Sequence, residues 1–227
     1  MLGVGLTLRL GFWQLDRAAH KIALHERLEA RRVLPALRNE DLARSAGDAE
    51  GQLDRRVVLR GRWLADRTVF LDNRQMSGQP GFFVVTPLAL DGRIDAVVVQ
   101  RGWAPRNFID RSVLPVIDTP TGTVEVHGLF APPPARLYEF APSASGAIRQ
   151  NLDLEAYARE SRANLLPMSV LQLPSPSTTG DGLRREWPAP ALGVDRHYGY
   201  AVQWFALAAL MTGLYVWFQF VRRRRQS

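Results

Sequence analysis

Tyr198–Val221 reads YGYAVQWFALAALMTGLYVWFQFV, 24 residues without a formal charge, and Arg222–Arg225 follow at once. As a helix rising about 1.5 Å per residue, the stretch covers roughly 36 Å, enough to cross a hydrocarbon layer of about 30 Å with some tilt. Tyr198, Tyr200 and Trp204 gather at one end and Trp217 and Phe220 at the other, as an interfacial aromatic belt requires. Four arginines directly after such a span act as a stop-transfer signal. The positive-inside rule places them in the cytoplasm and everything before Tyr198 on the other side.

Working outward, the amino terminus is expected to supply a second anchor. Met1–Leu15 is apolar apart from Thr7, Arg9 and Gln14, and Asp16-Arg17 closes it. Fifteen residues span only about 22 Å as a helix and would carry Arg9 inside, so either the true start lies upstream or the helix is short and distorted, and a shortened or misassigned start is the expectation. No small-residue cleavage site marks a removable signal peptide. Residues 16–33, rich in Ala, Leu, Glu and Arg, continue as a helix that Pro35 ends.

The net charge of +7 raises the question of nucleic acid. Arg9, Arg17 and Lys21 against Asp16 give +2 in residues 1–21, the four arginines of 222–227 give +4, and 22–221 carries only +1. The charge sits at the chain ends beside apolar segments rather than on a groove-forming face, so no nucleic-acid partner is expected. The lipid bilayer accounts for it better. The absence of cysteine excludes disulfides, thiolate metal sites and a cysteine nucleophile. Arginine outnumbers lysine 28 to 1, as in proteins of GC-rich bacteria.

Between the anchors the pattern turns to β. Candidate strands are Val57–Trp63, Thr68–Asp72, Phe82–Thr86, Ala96–Gln100, Thr123–Phe130 and Met168–Leu173. Leu90-Asp91-Gly92-Arg93 is a hairpin turn, and a short helix is expected over Leu152–Ser161 with Asp153 near its start. Residues 36–52 suggest a short helix and polar loop, and 174–192, rich in Pro, Ser, Thr and Gly, a linker. The expected fold is a membrane protein of the α+β class, two transmembrane helices flanking one mainly β extracytoplasmic domain. Its parts are a first transmembrane helix at 1–15, a helical extension at 16–35, the β-rich domain with its linker at 36–192, a second transmembrane helix at 193–221 and a cytoplasmic basic tail at 222–227.

No nucleophile elbow, HExxH or glycine-rich phosphate loop occurs, and the chain is not expected to be an enzyme. His20 and His25 are five apart, off a common helical face, and His127 lies in a strand beside Val126. His197 differs. It stands at the outer mouth of the carboxy-terminal helix with Tyr200 and Trp204 three and seven residues on, one helical stripe. An imidazole there suits either an axial ligand to haem iron, with the rings covering the macrocycle, or a place in the aromatic belt. Gln203 is a candidate for helix pairing.

Five segments in order carry a resemblance. They are Gly11-Phe12-Trp13-Gln14-Leu15-Asp16-Arg17 with Lys21, Arg60-Gly61-Arg62-Trp63, Gly81-Phe82-Phe83-Val84-Val85-Thr86-Pro87-Leu88, Val98-Val99-Gln100-Arg101-Gly102-Trp103-Ala104-Pro105, and His197-Tyr198-Gly199-Tyr200-Ala201-Val202-Gln203-Trp204-Phe205. The chain resembles the surfeit locus protein 1 family of cytochrome c oxidase assembly proteins along nearly its whole length. The resemblance implies a factor that helps haem a reach the catalytic subunit of cytochrome c oxidase, with the haem a synthesis enzyme as a further partner. It implies the bacterial or the mitochondrial inner membrane, and the expected location is the bacterial inner membrane, multi-pass, with the main domain periplasmic and both termini cytoplasmic. His197 matches the family's histidine at the head of the second helix, which makes it the possible haem iron ligand, with Tyr200, Trp204 and Arg101 as further cofactor-binding candidates. Arg101 suits a haem propionate or an acidic side chain within the domain, while Gly102 permits a bend after the strand, Trp103 plugs the sheet and Pro105 stops its ladder. One departure is Gln150–Tyr157, which holds a single aromatic residue where the family has several. The alternatives are a cofactor-free membrane scaffold holding oxidase assembly partners together, and a membrane-tethered enzyme for which no acid, base and nucleophile set is visible.

Overall fold

The computed structural model of the chain describes residues 2–107, 109–110, 113–138, 146–187 and 193–221. The basic tail at 222–227, part of the linker at 188–192 and the Phe220 side chain fall outside the described residues. Four helices, α1 (Leu2–Arg32), α2 (Ala46–Glu50), α3 (Leu154–Ser161) and α4 (Val194–Val216), accompany seven strands. The strands are β1 (Arg56–Trp63), β2 (Val69–Met76), β3 (Gln79–Leu90), β4 (Ala96–Pro105), β5 (Thr123–Ala131), β6 (Ile148–Arg149) and β7 (Leu165–Gln172). The chain divides into two units, Met1–Ala30 with Pro188–Ser227, and Arg31–Trp187. The fold is mixed α and β with one β unit.

In the β unit, β1 pairs with both β5 and β3, and β5, β7, β4 and β3 complete a closed ring. All pairs in the ring are antiparallel except β4 with β7. Closure at β1–β3 needs a side-chain-free position, and Gly61 supplies it. Opposite Leu90, it leaves no room for a Cβ against the carbonyl of Ala89. Closing the ring pairs β1 with β3, strands that would otherwise leave an edge open, while β2 and β6 continue the sheet outside it. Inside it Val57, Leu59, Leu88, Leu90, Val97, Val99, Val126, Phe130 and Val170 form one cluster. β4 is buried on both faces, because Val98 joins Val69, Leu71, Val85 and Tyr157 in a second cluster that α3 helps to cover.

Local signals explain the elements. Asp153 caps α3, accepting from Ala156 N–H at 3.0 Å. Gly92, at φ +75°, lets the β3–β4 turn close with Leu90 N–H donating to Asp95 C=O at 3.1 Å. The six expected strands are present, and four run further than expected: β2 on to Met76, β7 from Leu165, and β3 and β4 as follows. β3 starts three residues early and runs on to Leu90, because its first half pairs with β2 and its end with β1. β4 does not end at Gln100. A register shift between Val84 and Val85 leaves Arg101 without a residue opposite it, and pairing with β3 resumes at Gly102 and continues to Pro105. β6 has only two residues and was not expected; it lies parallel to β2. Within the expected linker, Arg184 exchanges backbone hydrogen bonds with Trp103 at 2.7 and 2.8 Å, and Trp187 packs edge-on against Phe83.

α1 is a single helix through the boundary drawn at Leu15, since residues 16–32 supply strong helix formers and the first proline comes at Pro35. Among the described residues Val194–Gln219 is the helix long and apolar enough to cross a membrane. A π-helical turn, Trp217–Val221, continues α4.

Candidate functional site

α1 and α4 run antiparallel in one unit. Four contacts march along them in opposite directions: Gly3 against Met211, Gly11 and Phe12 against Phe205, Gln14 against His197, and Lys21 against Gly193. The side chains buried between them are small, namely Thr7, Gly11 and Ala18 on α1 and Ala201 and Ala208 on α4. Gly3, Thr7 and Gly11 follow one another every four residues, the spacing that lets helices approach closely in membranes. A Cβ at Gly11 would lie 2.6 Å from the Phe205 ring, so this ring packs on bare backbone. Thr7 satisfies its hydroxyl within its own helix, donating to Gly3 C=O at 3.1 Å or Val4 C=O at 3.0 Å.

At one end of this seam lies His197, in the first turn of α4 and half-buried. Its Nδ1 stands 2.7 Å from Gln14 Oε1. Pairing with an amide oxygen requires the imidazole to donate from Nδ1, which leaves the lone pair on Nε2. Tyr200 is exposed and Trp204 half-buried on the same stripe of α4. In its neutral form an imidazole with Nδ1 anchored keeps a lone pair on Nε2, and beside two aromatic side chains it would suit haem iron. Gln203 is exposed, and the glutamine at the seam is Gln14.

Arg101 belongs to the β unit. Its side chain is buried in β4, donating to Thr119 Oγ1 at 2.6 Å and to the Asp118 carbonyl at 2.8 Å, and its guanidinium lies 4.7 Å from the centre of the Trp63 ring. Burial pulls its pKa down to about 10, Asp181 opposing and Arg185 reinforcing the shift. It lines a cavity of about 280 Å³ together with Trp63, Gln172, Thr178 and Asp181. Trp103, beside it, is fully buried with its indole N–H donating to Arg74 C=O at 2.9 Å. Two of the other histidines have local partners. His20 Nδ1 is 2.9 Å from Asp16 C=O, and His127 Nε2 is 2.9 Å from Glu125 on the strand surface. No group of three His, Asp or Glu side chains suited to a metal ion occurs among the described residues.

His197, Tyr200 and Trp204 thus share one helix face, whereas Arg101 is engaged within the other unit. Sequence reasoning missed Gln14 as a partner of His197. Its signal was present: an uncharged amide in an otherwise apolar segment, three residues after a glycine.

Comparison with known proteins places the chain. A SURF1 family model matches residues 1–209, which include α1, the β unit and most of α4. A SURF1-like protein of Drosophila melanogaster is 26% identical over 242 residues, 96% of this chain and 75% of the relative. A SURF1-like protein of Rickettsia felis is 24% identical over 240 residues, covering 93% of this chain and 91% of the relative. The cytochrome oxidase assembly protein SHY1 of Saccharomyces cerevisiae is 28% identical over 103 residues, 43% of this chain and 25% of the relative. With the match running through both seam helices and the barrel, the chain belongs to the SURF1 family.

Proposed function

We propose that the protein is a membrane-anchored assembly factor for cytochrome c oxidase that holds haem a through His197 before the haem enters the catalytic subunit. Family membership and the assembly role named for the yeast relative support the oxidase assignment. The observation that carries the haem reading is the anchored imidazole, Nδ1 at 2.7 Å from Gln14 and Nε2 free to coordinate. In this reading His197 would hold the iron, and Tyr200 and Trp204 would cover the haem and exclude water. Haem supplies an electrophilic iron for the imidazole and a broad apolar plate for the rings. Arg101, engaged by Asp118, Thr119 and Trp63, keeps a structural part in β4.

The same reading takes α1 and α4 as two spans of a bacterial inner membrane, with the β unit on the periplasmic side and both termini in the cytoplasm. The haem a synthesis enzyme and the oxidase's catalytic subunit are its partners. The test is the visible spectrum of the full chain purified from cells that make haem a. The wild type is expected to carry haem absorbance and His197→Ala to lose it. Haem retained in full by the variant removes the ligand. A haem-free wild type, from a strain whose deletion mutant lacks assembled oxidase, replaces the haem reading with a cofactor-free scaffold.

A further inference from the structure

The contact between Gln14 and His197 joins positions 183 residues apart, and both side chains lie at the α1–α4 seam. We propose that Gln14 is a positioning residue: it fixes His197 as the Nδ1–H tautomer and so makes Nε2 the ligand nitrogen. The inference rests on the haem reading above only for what Nε2 binds. The tautomer is set within the protein itself.

Three features of the seam support it. In the observed amide orientation Gln14 Oε1 faces Nδ1 at 2.7 Å and can only accept, so the Nε2–H tautomer would require the amide to turn over and present its NH2. Gly11, one turn earlier on α1, lets the Phe205 ring lie against bare backbone and brings the helices within reach of a glutamine side chain. The choice of partner also matters. A carboxylate would orient the ring equally well, but it would add negative charge, raise the basicity of the imidazole and favour ferric iron. The carboxylate nearest in sequence, Asp16, is elsewhere engaged: it is exposed, and its side chain lies 3.5 Å from His20. An amide at position 14 aims the imidazole without that charge, as suits a ligand that must release its haem again.

The experiment uses the full chain in detergent micelles. With ¹⁵N-labelled histidine and His197→Ala for assignment, NMR of the metal-free protein is expected to show His197 as the Nδ1–H tautomer. Gln14→Leu should shift it towards the Nε2–H form that imidazoles favour on their own, and Gln14→Glu should restore Nδ1–H. Hemin titration gives the second readout. Gln14→Leu is expected to weaken binding about 10- to 100-fold, the usual effect of losing a ligand's hydrogen-bond partner. Gln14→Glu should bind as the wild type does and lower the reduction potential of the bound haem. An unchanged tautomer and an unchanged affinity in Gln14→Leu overturn the proposal. So does a Gln14→Glu protein that stays folded without restoring the tautomer. Equal hemin binding by wild type and His197→Ala defeats the haem reading alone, because the NMR comparison still decides what Gln14 does.

Discussion

Among the described residues, the seam between α1 and α4 buries nothing larger than a threonine, whereas the β unit buries Trp103, Phe82 and Phe130 completely. The two regions follow opposite packing rules. In water, removing large apolar side chains from solvent stabilises by about 25 cal/mol per Å², so the barrel gains from bulk. Against lipid that gain disappears, and helices associate by close backbone approach and a few interhelical hydrogen bonds. Gly11 with Phe205 and Gln14 with His197 are one of each kind. The outer surface of α4 agrees: Val202, Leu210, Leu214 and Phe218 are exposed. The difference teaches that His197 sits where, among the described residues, no large side chain is buried, so that one hydrogen bond can decide a side chain's orientation.

The sharpest way to break this comparison is to attack bulk where bulk matters. Trp103→Ala removes a fully buried indole and orphans the Arg74 carbonyl, and is expected to cost the β unit about 3–5 kcal/mol. A urea melt of the full chain in micelles measures it, while the His197 NMR signal should not move. A loss below about 1 kcal/mol contradicts the packing described.

Next comes the buried ion pair. Asp95 accepts from Arg93 at 2.7 Å, Arg44 at 3.2 Å and Asn164 at 2.6 Å. Burial alone pushes its carboxyl up, but the hydrogen bonds and charges of Arg93 and Arg44 prevail and hold it below the usual range. Asp95→Asn leaves the buried Arg93 without a counter-charge, with the Asn39 and Leu42 carbonyls as its remaining acceptors, and should cost about 3 kcal/mol. The pH dependence has a fixed sign. With the folded pKa depressed, the stabilisation is complete above the unfolded value of about 3.9 and is lost as pH falls through the lower folded value. Acid melts of wild type and Asp95→Asn should therefore converge below about pH 4. Parallel curves throughout that range would rule out the carboxylate as the source.

The smallest effects separate two glycines of the seam. Gly11→Leu drives a side chain into the Phe205 ring and should cost about 1–3 kcal/mol of hairpin stability, breaking the Gln14–His197 bond. Gly3→Ala meets only the Met211 sulfur at 3.5 Å, ordinary contact, and should stay within about 0.5 kcal/mol. Steric trapping or NMR of the two variants in micelles checks the contrast. Equal effects would show that the seam is not tighter at Gly11.

Much of this architecture is legible in local sequence. Alternation reveals the strands, Asp91-Gly92 the hairpin and Asp153 the start of α3, because each signal acts within a few residues. Ring closure leaves no such trace. β1 meets β5 and β3, and β4 meets β7, through pairings that no local period encodes. Gly61 reads as an ordinary strand glycine until Ala89 is beside it. The continuation of β4 past Gly102 was hidden for the same reason: its partner is half of an unusually long β3. At the site, helical spacing alone aligns His197 with Tyr200 and Trp204. The partner that orients the imidazole comes from the other end of the chain, and only the pairing of the two helices reveals it.

That separation has a consequence for biosynthesis. Gln14 is made before the first strand and His197 after the last, since β7 ends at Gln172 and α4 begins at Val194. The hydrogen bond between them cannot form until the ribosome has produced every strand of the barrel. A chain cut short anywhere in the β unit keeps the acceptor on α1 and lacks the imidazole that answers it. The contact therefore marks a chain whose β unit has been made in full: a protein able to present His197 on Gln14 already carries β1 to β7.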